Sequence, residues 1–256
     1  MSLPIFVVGA TARDIVLEHI YGIRPPVATG DLDFGVLVET WKEFEQLRGE
    51  LLESNDFVST KNYFRFRNES TKVPIDLLPF GGVEDPPGRL TLGNGERPLT
   101  TTGFTKAFEC SIEVQTTDGF TFKIASIPGL VLLKLMAFYD RPSERDRDIQ
   151  DIWFILKRFF DIGNEDRLYD EHVDLVDDEE FDLERAAARM LGRDVAQLLD
   201  EETRAIISDT LSEEKPNKGL DRMMTVILKL ENRVDDISGQ VKAILRSFRL
   251  GIVEER

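Results

Sequence analysis

The chain has 256 residues, of which 41% are hydrophobic and 31% are charged, and its formal net charge is −16. This length predicts one large or two moderate domains, and no apolar run is long enough to cross a bilayer, so we expect a soluble protein without a membrane partner. The negative charge argues against general adhesion to nucleic acid, and an RNA acceptor would therefore need a local basic groove.

Cysteine and histidine are too scarce for two common kinds of site. The single Cys110 excludes an intrachain disulfide, and one cysteine with two histidines argues against a zinc site of the usual Cys/His type. The first residues show no basic segment followed by an apolar core and a cleavage site, which are the marks of a secretory signal. We therefore expect a cytoplasmic protein.

The first half of the chain alternates strand and helix patterns and then becomes mainly strand. Strands are predicted over residues 5–8, 32–38, 63–66, 73–78, 110–114 and 120–124. Helices are predicted over residues 11–21 and 40–54, and Thr40 with Glu43 forms a capping box at the start of the second one.

From Ser126 onward the pattern is almost wholly helical, which places a domain boundary near residue 125. Pro128 supports a helix that runs to Tyr139, and Ser143 is predicted to cap the next helix with Asp146 as its capping-box partner. The acidic residues 161–182 are predicted to form a surface loop. Further helices are predicted over residues 184–191, 195–199, 203–211, 220–230 and 234–250. The expected fold class is α+β, with a mixed sheet and flanking helices in residues 1–125 and a mostly α-helical domain in residues 126–256.

The opening of the chain carries the first functional pattern. The strand over residues 5–8 ends in Gly9, Ala10 and Thr11, a turn that lets backbone amides approach a phosphate at a helix N-terminus. Asp31 and Asp33 follow at alternate positions of a strand, so their carboxylates point to the same side and can share a divalent cation. Alone, a Gly-Ala turn and an acid-x-acid pair are both common in so acidic a chain, and only their combination is informative.

A third carboxylate, Asp76, lies within an apolar strand, where an unpaired charge would be costly to bury. A metal ion would neutralise it. A salt bridge to Arg65, Arg67 or Lys72 would also do so, and without the upstream motif it is the preferred explanation.

These motifs, taken in order, resemble the nucleotidyltransferase superfamily related to DNA polymerase β. Residues 132–137 around Lys134, then Asp140-Arg141-Pro142, then residues 147–152 with Asp148 and Asp151, resemble the second-half signature of its AbiEii-type branch. The resemblance spans residues 5 to about 160. It implies a nucleotidyltransferase fold for residues 1–125, with the helical domain completing the nucleotide cleft.

The resemblance implies transfer of a nucleoside monophosphate from a nucleoside triphosphate (NTP) to an acceptor hydroxyl of RNA, tRNA or protein, with release of pyrophosphate. Asp31, Asp33 and Asp76 match the catalytic carboxylates that hold Mg²⁺ or Mn²⁺, and Asp76 would also assist deprotonation of the acceptor. The residues that match triphosphate-contacting positions, or positions supporting them, are Gly9, Ala10, Thr11, Lys134, Arg141, Asp148 and Asp151. Members of this branch include toxins of toxin–antitoxin systems that modify tRNA, which implies an antitoxin partner.

Other interpretations stay open at this point. Lys134 is also explained by a lysine that extends its ammonium group to solvent from an apolar helix. The whole chain is also explained by an interaction protein that keeps the fold without turnover, or, less well, by a glycosyltransferase that uses an Asp-x-Asp pair with a nucleotide sugar.

Overall fold

The computed structural model of the protein describes residues 3–27, 29–92, 98–180, 182–212, 219–231 and 237–254. The chain divides into two units, Met1–Leu130 and Val131–Arg256. None of the described helices combines the length and the hydrophobicity that a bilayer crossing requires. The expected α+β class, a mixed sheet followed by a helical region, is confirmed.

In the first unit, seven strands of the described chain form one mixed sheet in the order β3-β4-β5-β2-β1-β9-β8, and β6 pairs with β7 separately. The strands are β1 Ile5–Val8, β2 Leu32–Val38, β3 Phe57–Ser59, β4 Arg65–Asn68, β5 Pro74–Gly81, β6 Arg89–Leu90, β7 Leu99–Thr100, β8 Ile112–Gln115 and β9 Thr121–Ile124. The helices are α1 Gly9–Asp14, which continues as a π-helical segment over Ile15–Ile20, α2 Trp41–Glu53, α3 Phe104–Glu109, and α4 Ile127–Asp140, which spans the division between the units.

Three central strands determine where the functional residues lie. β1 runs antiparallel to β2, and β2 runs parallel to β5. Val8 at the end of β1 is paired with Asp33, and Asp33 is paired in turn with Asp76. The antiparallel pairing of β4 with β5 places Arg65 opposite Asp76. Residues paired in this way project their side chains from the same face of the sheet.

Two apolar clusters hold the sheet in place. Phe44 of α2 is fully buried in a cluster that includes Val36 and Phe66. Phe6 lies edge-on to Phe80, with 5.8 Å between ring centroids, and also contacts the aromatic side chains of α3. Burial of side chains of this size supplies most of the driving force for packing helices on a sheet.

The strand predictions in the first unit agree with the structure to within a few residues, and β1 and β2 have the predicted bounds. Thr40 does cap α2, because its hydroxyl accepts a hydrogen bond from the Glu43 amide. The Glu43 carboxylate differs from a standard capping box, since it accepts from the Glu39 amide at 2.8 Å. The short strands β3, β6 and β7 and helix α3 were missed, because each has few residues in which to show a period.

The second unit is helical throughout its described elements. They are the 3₁₀ turn Pro142–Glu144 and the helices α5 Asp146–Arg158, α6 Glu165–Glu171, α7 Val173–Asp178, α8 Leu183–Ala196, α9 Glu201–Thr210, α10 Gly219–Glu231 and α11 Ser238–Val253. In α5, Ile149, Ile152, Trp153 and Leu156 are buried at helical spacing, as the sequence predicts. The predicted helix over residues 234–250 begins outside the described residues, and its described part corresponds to α11.

Three predictions for this unit are wrong. Residues 184–191 and 195–199 do not form two separate helices, because α8 runs without a break from Leu183 to Ala196 and residues 197–199 lie beyond its end. Residues 161–182 do not form a loop, because Leu168 and Leu175 are fully buried and anchor the short helices α6 and α7. Ser143 does not cap α5, since it lies within the 3₁₀ turn and α5 begins at Asp146 with no side-chain cap. The Asp146 carboxylate instead accepts a hydrogen bond from Arg222.

Helices α8 and α11 approach each other closely at two glycines. A Cβ atom at Gly192 would overlap the Phe248 carbonyl oxygen and lie 3.0 Å from the Cα atom of Gly251. Arginines of α8 also contact Glu254, just after α11: the Glu254 carboxylate accepts hydrogen bonds from Arg189 at 2.5 and 3.0 Å and from Arg193.

Candidate metal and nucleotide site

Three carboxylates converge at one end of β2 and β5. Asp33 and Asp76 are register partners in these parallel strands, and Asp31 immediately precedes β2. One oxygen atom from each of the three lies within 4.8 Å of the others, and all three residues are partly buried. No other group of histidine, cysteine or acidic side chains in the described residues has this arrangement.

Gly9 is required where the chain leaves β1. Its φ angle is +63°, in the left-handed region that favours glycine. A Cβ atom at this position would overlap the Asp33 carboxylate, with the Asp33 Cγ atom only 2.9 Å away. The turn therefore places the carboxylate directly against the backbone of residue 9.

Two threonine hydroxyl groups hold Asp31. Thr11 donates a hydrogen bond to the Asp31 carbonyl oxygen at 3.0 Å, and Thr29 donates to a carboxylate oxygen of Asp31 at 2.9 Å. Thr11 matches a triphosphate-contacting position in the family resemblance, and in the structure its hydroxyl group fixes the backbone of a carboxylate residue. Thr29 was missed, although a threonine two residues before an aspartate is a recognisable local hydrogen-bonding pattern.

Arg65 contacts two of the three carboxylates. Its Nε and Nη2 atoms each lie 2.6 Å from an oxygen of Asp76, and Nη2 lies 3.3 Å from Asp31. The hydrogen bonds to Asp76 raise the pKa of Arg65 above its usual value, helped by the charges of Asp76, Asp31 and Asp33 and opposed by partial burial. The salt bridge considered for Asp76 from the sequence is therefore present, and it coexists with the carboxylate cluster.

The cluster fits a hard divalent cation. Carboxylate oxygens are the ligands that Mg²⁺ and Mn²⁺ prefer. Three aspartates carry a charge of −3 against +1 for Arg65, so the group as a whole keeps a net negative charge.

A second charged group lies in the helical unit around Lys134. This lysine is only 5% exposed, and its ammonium group lies 2.9 Å from Asp148 and 2.6 Å from Asp151. Burial by itself lowers the pKa of Lys134, but the two carboxylates outweigh it and the net pKa is raised. Lys134 is therefore a buried cation, and the alternative of a solvent-extended lysine is wrong.

Arg141 follows α4, and its Nε atom donates to Asp140 at 3.1 Å. Asp148 contacts Arg145 at 3.6 Å in addition to Lys134. Asp148 and Asp151 therefore both contact the ammonium group of Lys134 in α4.

A family model described as the nucleotidyl transferase AbiEii toxin of type IV toxin–antitoxin systems matches residues 5–237. The chain belongs to this AbiEii family. The predicted AbiEii-type branch and the predicted nucleotidyltransferase activity are therefore confirmed. A search of curated proteins finds no match to this chain.

The AbiEii match includes both the carboxylate cluster and the group of charged residues around Lys134. It extends beyond the region in which the motifs were recognised, through α6 to α10 and up to the residues just before α11. Membership of the AbiEii toxin family implies a nucleotide substrate and an antitoxin partner.

Proposed function

We propose that this protein is the toxin of a toxin–antitoxin pair and that it transfers a nucleoside monophosphate from an NTP to an acceptor hydroxyl of RNA, tRNA or protein. The observation that carries this proposal is the convergence of Asp31, Asp33 and Asp76 within 4.8 Å in a chain of the AbiEii family. The acceptor oxygen attacks the α-phosphorus, the bond to the bridging oxygen of the pyrophosphate breaks, and the hydroxyl proton passes to a base.

The three aspartates would hold Mg²⁺ or Mn²⁺. When bound, the cation supplies positive charge that stabilises the attacking and leaving oxygens of an in-line displacement. Asp31 is fixed for this task by Thr11 and Thr29, and Asp33 by its contact with Gly9. Asp76 is the proposed base for the acceptor proton, and one of its oxygens must then be released by Arg65.

The triphosphate contacts are also proposals that rest on the family. Gly9, Ala10 and Thr11 would present backbone amides to the phosphates, and Lys134 and Arg141 would supply positive charge, as the resemblance implies. Asp148 and Asp151 hold the Lys134 ammonium group in one orientation, because both lie within 3 Å of it.

We expect Asp33→Asn and Asp76→Asn each to abolish transfer while the protein stays folded, because each removes a charged ligand. The protein is incubated with each labelled NTP, Mg²⁺ and total cellular RNA, and the incorporated label and released pyrophosphate are measured. Thermal unfolding reports on the fold. Asp56→Asn is the matched control, because Asp56 is an exposed aspartate of the same unit whose hydrogen bonds to Ser54 and Glu69 use backbone atoms.

Each outcome has a distinct meaning. Label in RNA that disappears in both variants and persists in the control supports the proposal and identifies the donor. Label in protein instead of RNA identifies a protein acceptor. Transfer retained in both variants would contradict the roles given to the carboxylates, and a protein that neither binds NTP nor transfers would be a non-catalytic interaction protein.

A further inference from the structure

Arg65 occupies a position that no motif in the sequence assigns to it. It lies on β4, opposite Asp76 in the register of the sheet, and its guanidinium group hydrogen-bonds to both oxygens of Asp76. The same group reaches Asp31 at 3.3 Å. A cation of the protein itself therefore contacts two of the three carboxylates that would bind the metal.

We infer that Arg65 is an internal counter-ion that competes with the divalent cation for Asp76 and Asp31 and so lowers the affinity of the nucleotide-free site for metal. This inference rests on the proposed function, because it takes the three aspartates to be the metal ligands. An oxygen of Asp76 that accepts from Arg65 has one lone pair fewer to offer a metal. The positive charge of Arg65 also repels an incoming cation.

The sign of the effect separates this role from a structural one. A unit positive charge a few ångströms from a divalent cation lowers its affinity about tenfold, even at a dielectric constant close to that of water. If Arg65 served only to hold the carboxylates in place, its removal would let them move apart, and metal binding would weaken. If Arg65 is a competing counter-ion, its removal strengthens metal binding.

The charge of Arg65 also affects how metal and nucleotide binding depend on each other. The three aspartates and Arg65 together carry a charge of −2, which one divalent cation neutralises. A triphosphate adds further negative charge, which favours retention of both the metal and the arginine. Metal and triphosphate therefore strengthen each other's binding, as any two ligands of opposite charge do when they share a site.

The test is the affinity of the nucleotide-free full chain for Mn²⁺, measured by the loss of the free-ion electron paramagnetic resonance signal. We expect Arg65→Gln to bind Mn²⁺ about tenfold more tightly than the wild type, and Arg65→Lys, which keeps the charge, to gain much less. Arg67→Gln is the matched control, because Arg67 lies on the same strand but is paired with Pro74 and contacts Glu69. We expect it to change the affinity less than about twofold. Arg65→Met replaces Arg65→Gln should the latter fail to fold.

The outcomes distinguish this inference from the proposed function. Tighter binding in Arg65→Gln, with no gain in the control and loss of binding in Asp33→Asn, supports both. Unchanged or weaker binding in Arg65→Gln, with Asp33→Asn still abolishing binding, overturns the counter-ion role and leaves the proposed metal site intact. A gain in Arg65→Lys as large as in Arg65→Gln also overturns it, because the charge would then not be the cause. Binding by none of the proteins overturns both.

Discussion

The contact between Gly9 and Asp33 shows how a single backbone position shapes the site. The left-handed φ angle of Gly9 turns the chain away from β1 at the point where β1 is paired with β2. The space that a side chain would fill there is taken by the Asp33 carboxylate. Both the angle and the space require glycine, so residue 9 supports the Asp33 carboxylate whether or not its amide also contacts a phosphate.

We therefore expect Gly9→Ala to lower the transfer rate about a hundredfold, since a displacement of about 1 Å at a reacting centre has an effect of that size. The left-handed angle adds a cost of about 1 kcal/mol to the free energy of folding. Gly30→Ala is the control, because Gly30 is a glycine next to another of the three aspartates, Asp31, but a Cβ atom there would have open space around it. Steady-state rates and Mn²⁺ affinity are measured for both. Equal rates in the two variants would show that the Gly9–Asp33 contact has no role in the reaction.

At this scale the sequence predicts which carboxylates meet but not what surrounds them. Asp31, Asp33 and Asp76 are recognisable only in combination, from an order of motifs that resembles the nucleotidyltransferase superfamily, because an acid-x-acid pair alone is common in so acidic a chain. Arg65 appeared only as one of three cations that could pair with Asp76, because the choice depends on the register of β4 against β5, which no local pattern reports. Two further contacts involve the loop before β2: those of Thr29, and the hydrogen bond that the buried Arg13 donates to the Val27 carbonyl oxygen at 2.8 Å. A loop has no periodic sequence pattern from which such contacts could be predicted.

Among the elements, α8 and α11 depend on glycine for a different reason. Gly192 and Gly251 each lie against the backbone of the opposite helix, so the two helices meet with no side chain between them at these points. Close approach increases the number of van der Waals contacts along both helices. It also brings Glu254 to Arg189 and Arg193.

We expect Gly192→Ala to lower the free energy of unfolding by about 2 kcal/mol, because the new methyl group would overlap the Phe248 carbonyl and force the helices apart. This loss exceeds the gain of up to about 1 kcal/mol that alanine brings to a helix interior. Gly239→Ala provides the comparison, since Gly239 lies in α11 and a Cβ atom there would meet nothing within 4 Å. We expect this substitution to be neutral or slightly stabilising. Urea unfolding gives both values. A stabilised Gly192→Ala would mean that the helices are not in close contact.

The elements were predictable where they show a clear local pattern. β1 follows from a short apolar run that ends at Gly9, and β2, α2 and α5 follow from alternation, a capping residue and helical spacing. α6 and α7 were not predicted, because acidic residues dominate their composition and only a few buried apolar residues, such as Leu168 and Leu175, anchor them. Sheet order could not be read from the sequence either, since β9 pairs with β1 across most of the first unit.

At the scale of the whole molecule, the excess of acidic residues is partly compensated by arginine. The net charge is −16, and in the helical unit several carboxylates are buried against arginines. Glu179, for example, lies 2.6 Å from Arg185 and accepts a hydrogen bond from Ser247 at 2.9 Å. Ion pairs and hydrogen bonds of this kind offset the cost of burying a carboxylate.

The contribution of Glu254 to the free energy of unfolding should depend on pH in a testable way. Burial by itself raises the pKa of Glu254, but hydrogen bonds from Arg189 and Arg193 outweigh it and the net pKa is lowered. The stabilisation is therefore complete well above the unfolded-state pKa of about 4.3 and is lost as the pH falls through the lower folded-state pKa. We expect Glu254→Gln to lower the free energy of unfolding by about 2 kcal/mol at pH 7, since hydrogen bonds to charged groups contribute amounts of this size.

Urea unfolding at a series of pH values checks this expectation. The difference between wild type and Glu254→Gln should shrink below about pH 4, where a protonated glutamate resembles glutamine. Glu53→Gln, at an exposed position at the end of α2, serves as the control and should show little difference at any pH. A difference that stays constant down to pH 3 would show that the charge of Glu254 contributes nothing.

The pairing of Asp33 with Asp76 also determines which parts of the chain tolerate a change of length. The exposed turn between β4 and β5, around Ser70 and Thr71, lies outside the β2–β5 ladder, so an inserted residue there leaves the pairing as it is. An insertion inside β5 that shifts the register by one residue turns the Asp76 side chain to the opposite face of the sheet. Related chains are therefore expected to differ freely in their turns, while the alignment of these two strands stays fixed.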